Sequence, residues 1–171
     1  MDDLVSRAIE KFLREEPTLG WVEAGLLPPG QMLHEAALRS GKPFDELVED
    51  LGAWMVRQDE IWRLLRFCGQ DFLDFLLRLD ELPERIRLIS DDVNLPQIAL
   101  SRSHDGLLWV TVSDGPPGWT AFLSGLLRAM ADDYGALCVI TRTADGICID
   151  VPDSAFAEAR TFRLSPRASL G

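Results

Sequence analysis

The side chains best suited to bind a metal or do redox chemistry are His34, His104, Cys68, Cys138 and Cys148. Their spacing limits that chemistry. They form no CxxC pair and no Cys/His cluster with metal-ligand spacing. His34 falls in a helical pattern and reads either as a lone axial ligand or as a polar helix-face residue. One histidine is a poor metal signature, so the helix face is the default. His104 stands in the turn His104-Asp105-Gly106, where a solvent-facing role is expected. Cys68 lies on an apolar helical stripe. A small core residue is expected there, with a thiolate ligand or redox sensor as the alternative. Cys138 and Cys148 sit on neighbouring strands of one expected hairpin. They either face one another and can oxidise, or pack in the core, which is the expectation. Asp91-Asp92 and Asp132-Asp133 are adjacent carboxylates on polar stretches and read as solvated surface rather than a cation site. The chain has no Ser/His/Asp grouping, P-loop or GxGxxG pattern, so no catalytic machinery is expected.

The rest of the composition narrows the class further. The 171 residues suit one domain. A chain this long buries roughly 70% of its unfolded surface and folds without disulfides or metal. The formal net charge of −11 repels phosphate backbones and anionic membranes, so neither nucleic acid nor membrane is an expected partner. An odd number of cysteines outside any disulfide framework fits a reducing cytoplasm. Met1-Asp2-Asp3 opens the chain without the apolar region of a signal peptide. No apolar run reaches the roughly 18 residues that a membrane span needs.

Positioning these residues falls to helices first and strands later. Leu4, Ala8, Phe12 and Leu13 recur at helical spacing, with Asp2 or Asp3 as the cap. Pro17 and Pro28-Pro29-Gly30 punctuate the chain, and Trp21–Leu27 reads as a short helix between them. Met32, Leu33, Ala36, Ala37 and Leu38 mark a helix stopped near Gly41. Phe44, Leu47, Val48, Leu51, Trp54 and Met55 form a stripe. Ile61, Trp62, Leu64, Leu65 and Cys68 continue it, with or without a break. Phe72, Leu73, Phe75, Leu76 and Leu79 make a short apolar helix limited by Pro83. After about residue 90, Gln97–Ser103 and Leu107–Ser113 read as strands, and Trp119–Met130 as an amphipathic helix. Leu137–Arg142 and Ile147–Val151 follow as strands around Ala144-Asp145-Gly146. Most of the five tryptophans, Trp21, Trp54, Trp62, Trp109 and Trp119, are expected in the core. This order predicts an α+β domain over residues 1–151, helical to about 85 and α/β from about 86. Its sheet has four antiparallel strands with one inserted helix. Residues 152–171 read as a tail or linker.

Several motifs in this order resemble one known family. They are Leu4-Val5-x-x-Ala8-Ile9-Glu10, Leu51-Gly52-x-Trp54, Gly69-x-Asp71-Phe72-x-x-Phe75-Leu76 with Leu79-x-x-Leu82, and Gly118 with Phe122-x-x-Gly125-Leu126-Leu127. Each is weak alone; their collinear order over about residues 1–151 carries the resemblance. Together they resemble the heme–nitric oxide/oxygen binding (H-NOX) family. The resemblance implies an H-NOX-like fold and a sensor that regulates a signalling enzyme such as a histidine kinase or a nucleotide cyclase. Heme is the family cofactor. The family's iron-binding histidine follows the Leu-x-x-Leu stretch, where this chain has Pro83, which has no lone pair free for iron. The family's propionate clamp, Tyr-x-Ser-x-Arg, corresponds to Thr111, Val112, Ser113, Asp114, Gly115 and Pro116. Only Ser113 survives of the clamp, and Asp114 would repel a carboxylate. The expectation is therefore a divergent, heme-free member without cofactor or metal. Its pocket residues would be His34, Trp54, Cys68, Phe72, Phe75, Leu76 and Leu79. Two rival readings are heme held by another ligand such as His34, and carriage of a small apolar ligand in the vacated pocket.

Overall fold

The computed structural model describes residues 4–19, 27–88 and 95–152. The Asp2/Asp3 cap, the Trp21–Leu27 helix except its last residue, the Asp91-Asp92 pair and all but the first residue of the 152–171 tail lie outside the described residues.

Helix α1 (Leu4–Glu15) buries Ile9, Phe12 and Leu13 on one stripe, and a 3-10 turn at Pro17–Leu19 follows. Helix α2 (Pro29–Ser40) starts with Pro29 in its first turn, where the missing N–H costs nothing. It buries Met32, Leu33, Ala36 and Ala37. Leu38, expected with them, is 77% exposed, because position 38 falls about 100° off that stripe. Helix α3 (Phe44–Val56) buries Leu47, Val48, Leu51, Gly52 and Trp54. The stripe then breaks at Arg57-Gln58, and α4 (Asp59–Arg66) begins with two acidic residues where the helix dipole favours them. Trp62 is accordingly half-exposed, and Leu65 is the buried residue of α4.

The segment from Phe72 to Pro83 departs from the single helix expected there. The helix thought to run up to Pro83 is three pieces: α5 (Phe72–Leu77), a 3-10 turn (Leu79–Glu81) and α6 (Leu82–Arg87). Pro83 opens α6 rather than ending α5, since a proline in a first turn removes no helical hydrogen bond.

The sheet comprises β1 (Gln97–Arg102), β2 (Leu108–Ser113), β3 (Val139–Thr143) and β4 (Gly146–Asp150), in the order β1-β2-β4-β3. All three pairings are antiparallel. Ile98, Leu108, Val110, Ile147 and Ile149 are buried, and their alternation along the strands sets the inner face. Between β2 and β3 runs α7 (Trp119–Tyr134), four residues longer than expected because no breaker intervenes before Gly135 at φ 66°. The register pairs Cys148 with Thr141 and Trp109, while Cys138 lies just before β3. The two cysteines are therefore not cross-strand partners. Cys138 packs against the sheet-side core and Cys148 stands beside Trp109 on the other face.

Two cores result. One joins α1, α2 and α3 to Ala121 of α7. The other joins α4, α5, α6 and the sheet to the buried side of α7. Helices α3 and α7 form the seam between them. A Cβ on Gly52 would sit 2.0 Å from the Phe122 carbonyl oxygen, and one on Gly125 would sit 1.8 Å from that of Glu49. Only glycine permits so close an approach. Across the same seam Arg128 pairs with Glu49 and also donates to the Ile140 carbonyl at 3.1 Å. Arg142 pairs with Asp45 at 2.8 Å.

Candidate functional site

The segment from α4 to α6 carries the position at which the sequence pointed to a lost ligand. At its start the chain turns sharply through Gly69, whose Cβ would lie 2.4 Å from the Phe75 backbone nitrogen. Asp71 then caps α5, its carboxylate accepting from the Asp74 N–H at 2.8 Å. The Asp74 carboxylate reaches back to the Gln70 N–H at 3.0 Å and to Arg78 at 3.1 Å. The Gln70 N–H first, and the Arg78 guanidinium second, hold the Asp74 carboxyl below the usual range. These exposed bonds orient α5 so that Phe72, Phe75 and Leu76 face inward.

Phe72, Phe75, Leu76 and Leu79 are at most 2% exposed, and Leu82 and Pro83 are buried beside them. Cys68 belongs to the same core. Its thiol donates to the Leu64 carbonyl at 3.2 Å, and burial pushes its pKa up. A buried thiol held in its neutral form is a poor nucleophile. Cys138 and Cys148 are likewise pushed up, chiefly by burial.

The seven expected pocket residues fall in three places. Cys68, Phe72, Phe75, Leu76 and Leu79 share the sheet-side core. Trp54 lies in the other core, edge-on to Phe12 with centroids 5.6 Å apart, and its indole N–H donates to Glu15 at 2.9 Å. His34 is exposed, its ring 4.2 Å from that of Phe44 and its Nδ1 3.3 Å from the Gly30 carbonyl. His104 is exposed in its turn.

The end of β2 and the loop after it are mostly in solvent. Thr111, Ser113, Asp114, Gly115 and Pro116 are exposed, and Val112 packs against the sheet-side core. Asp114 adopts φ 60°, an uncommon left-handed conformation for a residue other than glycine that Asp tolerates better than most. Among the described residues no group of three or more His, Cys, Asp or Glu side chains could hold a metal ion. A shallow cleft of about 220 Å³ opens elsewhere, between α7 and β3, lined by Arg128, Ala131, Asp132, Ala136, Cys138 and Ile140.

Sequence reasoning missed the groups that hold the α4–α5 turn in place. These are Arg66, Asp133 and Tyr134. Tyr134 is the sole tyrosine, and nothing in its spacing links the end of α7 to residues 66–69.

A helical N-terminal part leading into a four-stranded antiparallel sheet with one inserted helix defines the H-NOX class of sensor fold. The family model described as Haem-NO-binding matches residues 29–141, and the chain belongs to that family. Solved structures agree on the fold. A mutant H-NOX of T. tengcongensis matches with TM-score 0.65 at 12% identity, covering 86% of this chain and 95% of that one. An oxygen-binding H-NOX domain related to soluble guanylate cyclases matches with TM-score 0.65 at 12% identity, over 89% and 95%. An H-NOX protein from S. oneidensis in its Fe(II)NO state matches with TM-score 0.60 at 14% identity, over 85% and 88%. No curated protein sequence matches.

The residues here do not fit the family's heme. Pro83 offers iron no donor, and Thr111 to Pro116 supply neither the phenol nor the guanidinium that would hold propionates. Among the described residues no helix is long and apolar enough to cross a membrane.

Proposed function

We propose that this is a non-catalytic regulatory domain that works without heme and controls a partner signalling enzyme, such as a histidine kinase or a nucleotide cyclase. The observation that carries the reading is Pro83, buried in the first turn of α6, which the motif resemblance puts at the family's iron-ligand position. Loss of the propionate clamp supports it independently, because a substitute axial ligand would leave that second defect in place. His34, the substitute considered from sequence, is exposed and stacked on Phe44, which favours the helix-face role. The core packing of Phe72, Phe75, Leu76 and Leu79 favours side chains over a large cofactor in that region.

On this reading residues 1–151 form the regulatory unit, helical to about 85 and α/β beyond, and 152–171 serve as tail or linker. The domain acts in the cytoplasm. Its input is a small apolar ligand, or the packing state of α5 itself.

The direct test is optical. Protein incubated with hemin and desalted should show no Soret band. Stoichiometric heme with a defined axial ligand would overturn the heme-free part. The regulatory part is tested by capture from the native host, followed by activity assays of a captured kinase or cyclase with and without this protein. Capture of no such enzyme counts against it.

A further inference from the structure

The single tyrosine of the chain, Tyr134, ends α7 against the turn between α4 and α5. Its phenol donates to the Gly69 carbonyl at 2.9 Å and lies 3.4 Å from that of Arg66. The Arg66 carbonyl, at the end of α4, has no partner within that helix, and the phenol lies beside it. The Arg66 guanidinium sits 3.9 Å from the centre of the Tyr134 ring and 3.4 Å from the Asp133 carboxylate. That carboxylate also accepts from the Trp62 indole N–H at 2.8 Å. On the far side of the turn the rings of Phe72 and Phe75 lie 6.3 and 6.0 Å from the tyrosine ring. One turn of α7 therefore touches α4, the turn itself and the start of α5.

We infer that Tyr134 is the positioning residue for the α4–α5 elbow, a pin whose release lets residues 66–76 move as a unit while the α3–α7 seam stays closed. The two attachments differ in kind. The seam rests on backbone contact at Gly52 and Gly125, which has no partly open form short of separating the helices. The elbow buries Phe72, Phe75 and Leu76 in the core, but its link to the end of α7 adds one hydroxyl, one guanidinium and two tilted ring contacts, groups that can turn away one at a time. Phe67, 84% exposed, lies between the two carbonyls nearest the phenol, so the pin also fixes where that aromatic ring is presented. That the partner enzyme senses this movement rests on the regulatory reading above; the pin itself does not.

The experiment is amide hydrogen exchange on the full chain, compared with Tyr134→Phe, which keeps the ring and removes the hydroxyl. Exchange across residues 66–76 should speed up on the order of fivefold to tenfold, as expected for one lost hydrogen bond. Amides of α1 to α3 should not change. No acceleration in the elbow, or equal acceleration everywhere, overturns the pin. If Tyr134→Phe does not fold, Arg66→Gln carries the same test, with a smaller but equally localised acceleration expected. The unmodified protein gives a separate readout, since phenolate absorbance titrates this one residue. Burial raises its pKa, so the phenol contact persists below the ordinary tyrosine value of about 10 and is lost only as pH rises through the higher folded value. Failure to find a regulated enzyme leaves these exchange results standing. Unchanged exchange removes the pin whatever enzyme is found.

Discussion

The α3–α7 seam and the α4–α5 elbow do opposite jobs with the same helix. At the seam, the middle of α7 meets α3 through glycines, so the helices are held by shape and cannot slide without backbone collision. At the elbow, the last turn of α7 meets its neighbours through long polar and aromatic side chains. A helix clamped by backbone at its middle and held by side chains at its end can let that end shift while the middle stays fixed. Packed interfaces tend to be all-or-none, whereas side-chain attachments can be released singly.

The sharpest way to test that contrast is to empty one site in each core. Phe12 and Phe75 are both 1% exposed. Each change to alanine should cost about 3–5 kcal/mol in chemical denaturation. Only Phe75→Ala should alter regulation of a captured enzyme in variants that remain folded. Equal effects on regulation from both, or none from either, would dissolve the distinction between the cores.

A smaller cost is expected at the seam. Gly125→Ala places a methyl group where the Glu49 carbonyl oxygen stands and should destabilise by about 1–3 kcal/mol. The loss should be global, with exchange rising together in α1, α3 and the strands. A neutral result would mean that the seam has slack and that rigidity lies elsewhere. Smallest of the three, Asp71→Ala removes the cap of α5 and should cost about 1 kcal/mol. Its exchange signature should stay within the elbow. Spread into α1 or α2 would show the two regions to be one cooperative unit.

Sequence periodicity was a good guide wherever one face of an element is buried. All four strands and the α2, α3 and α7 helices follow from alternation or helical stripes, because burial of one face dictates the pattern. It was a poor guide to breaks. The division of the Phe44–Cys68 stripe at Arg57-Gln58, and of the Phe72–Pro83 segment into α5, a 3-10 turn and α6, depends on packing between elements. Local propensity does not record that packing. Pro83 is instructive in both respects: its place at the end of a Leu-x-x-Leu motif was legible in the sequence, whereas its place in a first turn was not. The hydrogen bonds of Tyr134 could not be read at all, since they join residues 65 or more positions apart.

The bond from Arg128 to the Ile140 carbonyl has a consequence for the sheet's outer boundary. Among the described residues strand β3 ends the sheet on that side, and Thr143 and Gly146 pair across a two-residue turn. Counting back along the alternating ladder, Ile140 directs its N–H and carbonyl away from β4, towards the unpaired side. Such exposed backbone groups are a template for adding strands from other molecules. Arg128 already occupies this carbonyl, and its charge pair with Glu49 holds it there. An incoming strand would have to displace an anchored cation before forming its first bond, which protects the rim of the sheet against self-association into fibres.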